Sequence, residues 1–363
     1  MQHRERFAKA LAHQPVDRPP FDLHGTPMTL LNETLTQTLC SRLGIPPEEE
    51  ALLQALDIDF RRVGSMLAPD SPIARRISST CFVDCWGIER SLSGEDWQIT
   101  HCPLKGATLD DLNAFPWPDA AHMDMRLLDA WTQEARRLYE ETDYVVVGEH
   151  PVYGVLELGC WMCGFDDFLL KMAMEPEFVE AFFARVYAYQ QNAIDLYYSR
   201  LGPYLHVTTS GDDFGTQRAP FISPRMFGEL VAPWYDRRIA LTKEYTSAAF
   251  FHHTCGAVYP LIPRMIESGV EILNPIQPTA QDMEPKKLKQ TYGKKITFWG
   301  GADTQQVLPY GAPQDVRRHV HEILSVFGKE GGYIFAPAHV LQSDVPAENV
   351  LALFEAAREY CGV

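Results

Sequence analysis

A histidine and a cysteine lie two positions apart in the segment F-H-H-T-C-G, residues 251–256. In an extended segment, side chains at positions i and i+2 point to the same side, so those of His253 and Cys255 can reach one point. An imidazole and a thiolate are ligands that zinc prefers, and Gly256 lets the chain turn sharply after the strand. The spacing therefore predicts two zinc ligands. The alternative is that both side chains simply fill a partly buried strand end.

Two adjacent carboxylates, Asp212 and Asp213, stand in a short segment flanked by glycines. A carboxylate in such a loop can act as a general acid or base, or can hold a cationic ligand. Asp and Gly also favour turns for purely local reasons. The sequence leaves open which of these two roles the pair has.

Eight strand-like runs must position these groups. They mostly alternate with amphipathic stretches such as 176–199, 224–245 and 313–329. Repeated alternation of strand and helix predicts parallel strands with crossover helices, and hence an α/β fold of the (β/α)8 TIM-barrel type. An open doubly wound sheet is the alternative. The runs are Pro19–Gly25, Asp59–Gly64, Tyr144–Glu149, Tyr204–Ser210, Ala248–His252, Glu271–Pro275, Ile296–Gly300 and Gly332–Ala336.

The interval from Ser65 to Asp143 interrupts the alternation. It contains proline-rich turns and two short β-like runs, Thr80–Leu92 and Trp97–Cys102. We expect an insertion at 65–143, between the second and third barrel strands, that forms a lid or rim. Residues 2–13 are expected to form a helix that covers the bottom of the barrel. Because no linker or repeat divides the chain, residues 1–363 are expected to form a single domain.

Polar side chains gather at the carboxyl ends of the predicted strands, where barrel enzymes keep their catalytic groups. Charged groups beside a core cost free energy unless they are paired, so this concentration indicates a functional rim. The members of the rim are Asp22, His24, Arg61, Arg62, Glu149, His150, Asp212, Asp213, His253, Cys255, Gln277, Asp303 and His339.

Roles within this rim follow from position and chemistry. A catalytic zinc site needs a third protein ligand. His339 follows the last strand, which neighbours the first strand in a closed barrel, and Glu149 and His150 are the alternatives. The candidates for acid–base or orienting groups are Asp212, Asp213 and Glu149. The candidates for substrate contacts are Asp22, His24, Arg61, Gln277 and Asp303.

The composition restricts the class of protein. The 363 residues carry a formal net charge of −16, which argues against nucleic acid as a partner. No apolar stretch is long enough to span a bilayer, and the charged first residues lack the apolar core of a signal peptide. Eight irregularly spaced cysteines predict reduced thiols. Of these, Cys160 and Cys163 have the C-x-x-C spacing but lie in an apolar, helix-like stretch that favours core packing. We expect a cytoplasmic enzyme.

Short motifs along the whole chain carry a family resemblance. They are R-x-R-F-x-x-A-L-x-H-x-x-x-D-R-P-P at 4–20, G-D-D-F-G at 211–215, I-S-P at 222–224, H-T-C-G at 253–256, I-L-N-P-I-Q at 272–277, W-G-G-A-D-T-Q at 299–305 and D-V-P-A-E-N at 344–349. In combination they resemble the uroporphyrinogen decarboxylase superfamily. The resemblance implies a (β/α)8 barrel, in agreement with the strand count.

One activity that the resemblance implies is tetrapyrrole decarboxylation without metal or cofactor. True uroporphyrinogen decarboxylases grip their substrate with an arginine-rich segment that ends the first strand. Here the corresponding segment, residues 21–27, has no arginine, and Asp22 would repel the carboxylates of the substrate. Arg61 and Arg62 are few partners for so anionic a ligand.

The other implied activity is zinc-dependent methyl transfer with corrinoid proteins. Members of that branch carry H-x-C as zinc ligands and a third ligand, often cysteine, after the last strand, where this chain departs from the pattern with His339. Histidine is also a ligand type that zinc accepts. The expectation is a zinc-dependent methyltransferase that moves a methyl group between a small substrate and a corrinoid (cobalamin) cofactor on a partner protein. The alternatives are a uroporphyrinogen decarboxylase and a non-catalytic barrel that binds a corrinoid or a metal.

Overall fold

Eleven strands form two separate sheets in the computed structural model, which describes all residues from Met1 to Val363. One sheet is parallel and has seven strands, and the other has four. In chain order the strands are β1 (Phe60–Val63), β2 (Arg75–Ser78), β3 (Cys81–Val83), β4 (Glu89–Ser93), β5 (Asp96–His101), β6 (Val145–Gly148), β7 (Val207–Thr208), β8 (Ala249–His253), β9 (Ile272–Ile276), β10 (Thr297–Ala302) and β11 (Tyr333–Pro337).

The parallel sheet closes into a barrel through the segment that precedes β1. Its strand order is β1-β6-β7-β8-β9-β10-β11, so each strand lies beside the next one along the chain. Phe21 forms a parallel bridge with Phe335 of β11, and its carbonyl accepts a hydrogen bond from the Asp59 amide at 3.0 Å. An open doubly wound sheet would leave two free edges. The predicted (β/α)8 barrel is therefore confirmed.

The first predicted strand, Pro19–Gly25, is reduced to the single bridge at Phe21. Pro19 and Pro20 have no amide hydrogen to donate to a neighbouring strand. His24 has a positive φ of 60°, which turns the chain away from the sheet. The segment can therefore close the barrel through a single bridge, but it cannot form a longer series of backbone hydrogen bonds with β11.

Helices connect and surround the strands. In chain order they are α1 (His3–Leu11), α2 (Glu33–Leu43), α3 (Glu49–Ala55), α4 (Leu109–Ala114), α5 (Met125–Glu141), α6 (Val155–Cys163), α7 (Phe165–Met174), α8 (Pro176–Leu201), α9 (Pro224–Met226), α10 (Ala232–Tyr245), α11 (Ile262–Ser268), α12 (Pro285–Tyr292), α13 (Val307–Tyr310), α14 (Pro313–Phe327) and α15 (Ala347–Cys361). None of them combines the length and the apolarity that crossing a bilayer requires.

The predicted helix over 224–245 consists of α9, a π-helical stretch at Phe227–Val231 and α10. Pro233 lies near the start of α10 and lacks the amide hydrogen that a regular helix would use there. The missing donor accounts for the change in hydrogen-bond spacing just before it.

Apolar side chains fill the barrel interior, and α1 closes its lower end. Phe7 of α1 packs edge-to-face on Phe60 with ring centroids 5.7 Å apart. Above this pair, Phe251 lies 5.1 Å from Trp299. The interior is thus a packed core and not a pore, as in other barrels of this type. The candidate functional residues lie at the opposite end of the barrel, at the carboxyl ends of the strands.

The segment between β1 and β6 contains the antiparallel sheet β2-β3-β4-β5. Trp86, in the β3–β4 connection, packs on Tyr189 of α8 at 4.8 Å. At the β4–β5 turn, Asp96 accepts a hydrogen bond from the Gln342 side chain at 3.0 Å. Because Gln342 lies shortly after β11, this hairpin reaches the loop that carries His339. Its function as a lid stays a prediction.

Candidate metal centre and adjoining cavity

The alternation of side chains along β8 directs His253 into the barrel mouth. Ala249 and Phe251 belong to the barrel interior, so His253 continues the inward-facing series. One ligand atom each from His253, Cys255 and His339 lie within 4.8 Å of one another. Two residues from the same strand end therefore meet one that follows the last strand of the barrel.

The geometry of this group fits a tetrahedral metal ion. Zinc bonds of about 2.0–2.3 Å put neighbouring ligand atoms about 3.5 Å apart. The Cys255 Sγ atom lies 3.4 Å from the Nε2 atom of His253. The other nitrogen, Nδ1, lies 2.6 Å from the Oδ1 atom of Asn274. An amide oxygen can only accept, so Nδ1 donates, and Nε2 is left to face the thiol.

Two hydrogen bonds donated by backbone amides stabilise the turn at Cys255 and Gly256. The Cys255 amide donates to Asp213 Oδ1 at 2.8 Å, and the Gly256 amide donates to Gln277 Oε1 at 2.6 Å. Gly256 has a φ of 84°, and a Cβ atom there would lie 2.4 Å from the Thr216 carbonyl oxygen. Glycine is therefore required for this approach.

Burial keeps two of the three candidate ligands, Cys255 and His339, uncharged when no metal is bound. Burial raises the pKa of the Cys255 thiol, and the Asp213 carboxylate acts in the same direction. Burial lowers the pKa of His339 to about 4, so its ring is neutral at pH 7. A metal ion would displace the thiol proton, since zinc binds the thiolate.

Asp212 and Asp213 have different environments although they are adjacent. Asp212 is 1 % exposed, and its carboxylate accepts hydrogen bonds from the Leu156 and Glu157 amides at 3.3 and 2.8 Å. These are free amides of the first turn of α6, so Asp212 caps that helix from a distance. Burial raises its pKa to about 6. A Cβ atom on Gly154 would lie 2.1 Å from the Asp212 carboxyl carbon, so only glycine admits this contact.

Asp213 instead lies beside the candidate metal ligands. Its Oδ1 atom lies 3.8 Å from His253 Nε2, in addition to its bond with the Cys255 amide. Both carboxylate oxygens of Asp212 accept from backbone amides, whereas Asp213 lies beside the candidate ligands. The acid–base or orienting role stays a prediction for both residues.

A cavity of about 350 Å³ lies beside the metal centre. His253 and His339 form part of its wall, and no lysine or arginine lines it. The aromatic and acidic residues that line it are Tyr153, Trp161, Phe251, Glu149, Glu157 and Asp213. A space of this size suits a small substrate held next to the metal.

Glu149 and His150 line this cavity, as their position after β6 predicts. Glu149 forms an ion pair of 2.9 Å with Arg62. Burial raises the pKa of Glu149, while the Arg62 charge opposes the increase. Burial lowers the pKa of His150 well below its ordinary value, and its Nε2 atom has no hydrogen-bond partner. Neither residue belongs to the group of three metal ligands.

Asn274, Glu157 and Trp161 are absent from the predicted site residues. Asn274 follows the inward-facing Ile272 by two positions, and this spacing is a usable signal. Glu157 and Trp161 are four residues apart on α6 and share one face. Because their neighbours in the sequence are apolar, this stretch was predicted to be a core helix. Glu157 is the one carboxylate among these apolar residues, and this was the signal that could have indicated a functional position.

Asp22 and His24, the predicted substrate contacts near the first strand, form hydrogen bonds with backbone amides. The Asp22 carboxylate accepts hydrogen bonds of 2.8 Å from the Gly25 amide and the Trp299 indole. Burial raises its pKa to about 6. His24 Nε2 accepts from the Leu31 amide at 3.1 Å. Both residues thus organise the loop after the first strand.

Arg61, Gln277 and Asp303 also lie outside the cavity wall. Arg61 is adjacent to the inward-facing Phe60 and therefore points outward, where its Nε atom donates to Glu50 at 2.6 Å. Gln277 holds the Gly256 amide, and Asp303 Oδ1 accepts from the Gln305 amide at 2.8 Å. A role of these three residues in substrate binding stays a prediction.

A larger cavity of about 1150 Å³ lies between the antiparallel sheet and the barrel. Met66 and Tyr153 line both cavities, so the two spaces adjoin. Arg90 of β4 stands at this junction. It forms an ion pair of 3.3 Å with Asp84, and its guanidinium carbon lies 4.9 Å from the centroid of the Trp161 ring.

The barrel is similar along the whole chain to the solved structure of a methyltransferase. A methyltransferase from Methanosarcina mazei superposes with a TM-score of 0.67, and the match covers 99 % of each chain at 17 % sequence identity. At this level of identity the likeness concerns the fold.

Sequence comparison identifies the family. The uroporphyrinogen decarboxylase (URO-D) family model matches residues 150–360, more than half of the chain. Uroporphyrinogen decarboxylases from Pseudoalteromonas atlantica and Aliivibrio salmonicida are 32 % and 35 % identical over 72 residues. Each match spans 20 % of this chain and 20 % of the relative's length. The chain thus aligns with about a fifth of the length of each of these curated relatives. Because the family model matches more than half of the chain, the chain belongs to the uroporphyrinogen decarboxylase family.

Proposed function

We propose that this protein is a zinc-dependent methyltransferase that moves a methyl group between a small substrate and a corrinoid cofactor on a partner protein. The observation that carries the proposal is the group of His253, Cys255 and His339, whose ligand atoms lie within 4.8 Å at the barrel mouth. Three protein ligands leave one position of a tetrahedral zinc ion open for substrate, as in catalytic sites.

The residues around this group have defined tasks in the proposed reaction. A zinc ion held here would lower the pKa of a substrate thiol, and so make it a nucleophile at neutral pH. Asn274 orients the His253 ring, while Asp213 and Gln277 fix the backbone on either side of Cys255. The cavity beside the ligands holds the substrate and limits the access of water.

Decarboxylation of a tetrapyrrole is the second candidate, because the curated relatives are uroporphyrinogen decarboxylases. The charge of the cavity wall argues against it. Glu149, Glu157 and Asp213 line the cavity and no lysine or arginine does, so the wall would repel a ligand with many carboxylates. Arg62, one of the candidate carboxylate partners, is already paired with Glu149.

Turnover of free methylcobalamin distinguishes the candidates. The zinc-loaded protein should transfer the methyl group to a thiol acceptor, and the corrinoid absorption spectrum reports the loss of the methyl group. His253→Ala and chelation by EDTA should both abolish this transfer. Formation of coproporphyrinogen from uroporphyrinogen, unaffected by EDTA, would instead support the decarboxylase. Tight corrinoid binding without turnover on any methyl donor would indicate a non-catalytic barrel.

A further inference from the structure

One face of the antiparallel sheet β2–β5 is apolar and is not fully covered by the barrel. Phe82 and Arg90 are direct partners across β3 and β4. Leu92, two positions after Arg90, is paired with Trp97 of β5. Direct partners and residues two positions apart share a face, so all four side chains lie on one side of the sheet. Leu92 and Trp97 remain 39 % and 38 % exposed, and apolar groups left exposed together indicate a site of interaction.

The larger cavity separates this face from the barrel. Phe82, Arg90 and Trp97 line it on the side of the sheet, and Met66 and Tyr153 line it on the side of the barrel. Phe82 and Trp97 pack edge-to-face with ring centroids 4.8 Å apart. The volume of about 1150 Å³ exceeds the ~300–1,000 Å³ that is typical of sites for small molecules. The larger cavity therefore suits a ligand bigger than the thiol substrate proposed for the smaller one.

The larger cavity adjoins the space beside the candidate metal ligands. Met66 and Tyr153 line both cavities, and His253 and His339 line the smaller one. A methyl transfer requires two reactants in contact, namely the small substrate and the group that gives or takes the methyl. Two adjoining cavities of different size provide one place for each reactant.

Arg90 lies at the junction of the two cavities with part of its hydrogen-bonding capacity unused. Its Nε atom donates to Asp84 at 3.3 Å, and its guanidinium carbon lies 4.9 Å from the centroid of the Trp161 ring. Its Nη2 atom is buried and has no hydrogen-bond partner. A guanidinium nitrogen can only donate, so a ligand that satisfies it must offer an acceptor atom.

The charges of the larger cavity disfavour a ligand with many carboxylates. Asp70, Asp84 and Arg90 are its charged lining residues apart from the histidine His122. Arg90 is already paired with Asp84, and Asp70 would repel an anion. A ligand with a neutral but polar periphery avoids this cost. Carboxamide groups are neutral, and they offer the acceptor oxygen that Arg90 Nη2 lacks.

We infer that the larger cavity binds the corrin ring carried by the partner protein, with Phe82 and Trp97 against the ring and Arg90 donating to a peripheral carboxamide. The inference rests on the proposed function, because it assigns the site of the second reactant. A corrin is a broad macrocycle whose edge carries carboxamide side chains, whereas uroporphyrinogen carries carboxylates. The volume, the aromatic lining and the charge of the cavity therefore favour the corrin.

The test compares two ligands that share the corrin ring and differ in its periphery. Dicyanocobinamide carries carboxamides, and dicyanocobyrinic acid carries carboxylates at the same positions. Binding is measured by calorimetry on the full-length protein, once free of metal and once loaded with zinc. We expect dicyanocobinamide to bind at least about tenfold more tightly than the acid in both forms, because the cavity has no unpaired arginine or lysine for a carboxylate.

Three variants make the test specific. Arg90→Gln should weaken the binding of dicyanocobinamide at least about tenfold, because a charge-assisted hydrogen bond is lost. Trp97→Leu should also weaken it, because the ring loses an aromatic contact. Arg75→Gln is the matched control and should bind as wild type does, since Arg75 pairs with Val83 and lies on the opposite face of the same sheet. Thermal unfolding of each variant verifies that it is folded.

Equal affinities for the two ligands, no measurable binding of dicyanocobinamide, or wild-type affinity in both Arg90→Gln and Trp97→Leu would each overturn the inference. Its failure is distinguishable from that of the proposed function. A protein that binds the ring as expected but holds no zinc would contradict only the metal centre. Zinc-dependent methyl transfer by a protein that gives any of the three overturning results would contradict only the site of the ring.

Discussion

Ionisable groups are buried at both ends of the barrel, but the two ends differ in how many hydrogen-bond and charge partners the protein provides for these groups. At the lower end Asp59 is completely buried. Its carboxylate accepts hydrogen bonds from His3, Arg6, Arg18 and the Phe21 amide at 2.5–2.8 Å. Although burial opposes ionisation, the hydrogen bond from His3 and the charges of Arg18 and Arg6 lower the pKa of this carboxyl. Every lone-pair direction of this buried charge therefore has a protein partner.

At the mouth the carboxylates have fewer partners. Burial and the neighbouring Asp213 and Asp212 raise the pKa of Glu157. Burial raises the pKa of the Cys255 thiol in the same way. Groups in this state cost stability in the free protein and gain partners only when a ligand or metal binds. The comparison shows that a buried charge indicates function when the protein leaves it without compensation, and indicates stability when the protein compensates it.

The largest effect on stability is expected for Asp59→Asn. The substitution leaves Arg6 and Arg18 as buried cations with a neutral partner, so it should reduce the free energy of unfolding by about 3–5 kcal/mol at pH 7. Urea denaturation measures the difference. The matched control is Asp57→Asn, because Asp57 is half exposed and its pair with Arg18 should contribute about 1 kcal/mol or less.

The effect of Asp59→Asn should depend on pH. The folded-state pKa of Asp59 lies below the ordinary value of 3.8. The stabilisation is thus fully present above that value and is lost as the pH falls through the folded-state pKa. The difference between wild type and variant should shrink below pH 3.8. A constant difference down to acidic pH would contradict the assignment of a charged role.

An intermediate effect is expected for Asn274→Ala at the mouth. Without the amide oxygen, His253 Nδ1 has no acceptor, and the ring is free to rotate or to exchange its tautomer. Loss of such an orienting partner typically weakens metal binding about 10- to 100-fold. Competition with a zinc chelator measures the affinity. Unchanged zinc affinity in a folded variant would show that Asn274 does not orient the ligand.

The smallest effect on stability is expected for Glu157→Gln. Because burial raises the pKa of Glu157, its ionised form makes no stabilising contribution that the variant could lose. We expect the free energy of unfolding to stay within about 1 kcal/mol of wild type or to increase. A loss as large as that of Asp59→Asn would remove the distinction between the two ends of the barrel.

Much of the fold could be predicted from the sequence, because the strands alternate with amphipathic helices. The insertion was predicted less completely, since two of its four strands were expected as one run and β2 was missed. The residues of β2, Arg75–Ser78, are all exposed and carry no apolar pattern. Backbone pairing with β3 defines this strand, and such pairing has no signature in a single sequence.

The proximity of His253, Cys255 and His339 could be predicted because it depends on two simple rules. Spacing by two along a strand unites His253 and Cys255, and closure of the barrel brings His339 to them. Arg61 faces the outside of the barrel because a shift of one residue reverses the side that a strand residue faces. The environments of Asp212 and Glu157 depend on how α6 packs against the loop after β7, which the local sequence does not specify.

The most direct test of the account is the metal content of the purified, untagged protein by mass spectrometry, with Cys255→Ala and Cys163→Ala beside wild type. Cys163 is a buried cysteine in the C-x-x-C pair that does not belong to the three-residue group. The account predicts about one zinc ion per chain in wild type and in Cys163→Ala, and its loss in Cys255→Ala. Absence of zinc from the wild type after growth with added zinc, or full retention of zinc in a folded Cys255→Ala protein, would contradict the metal centre.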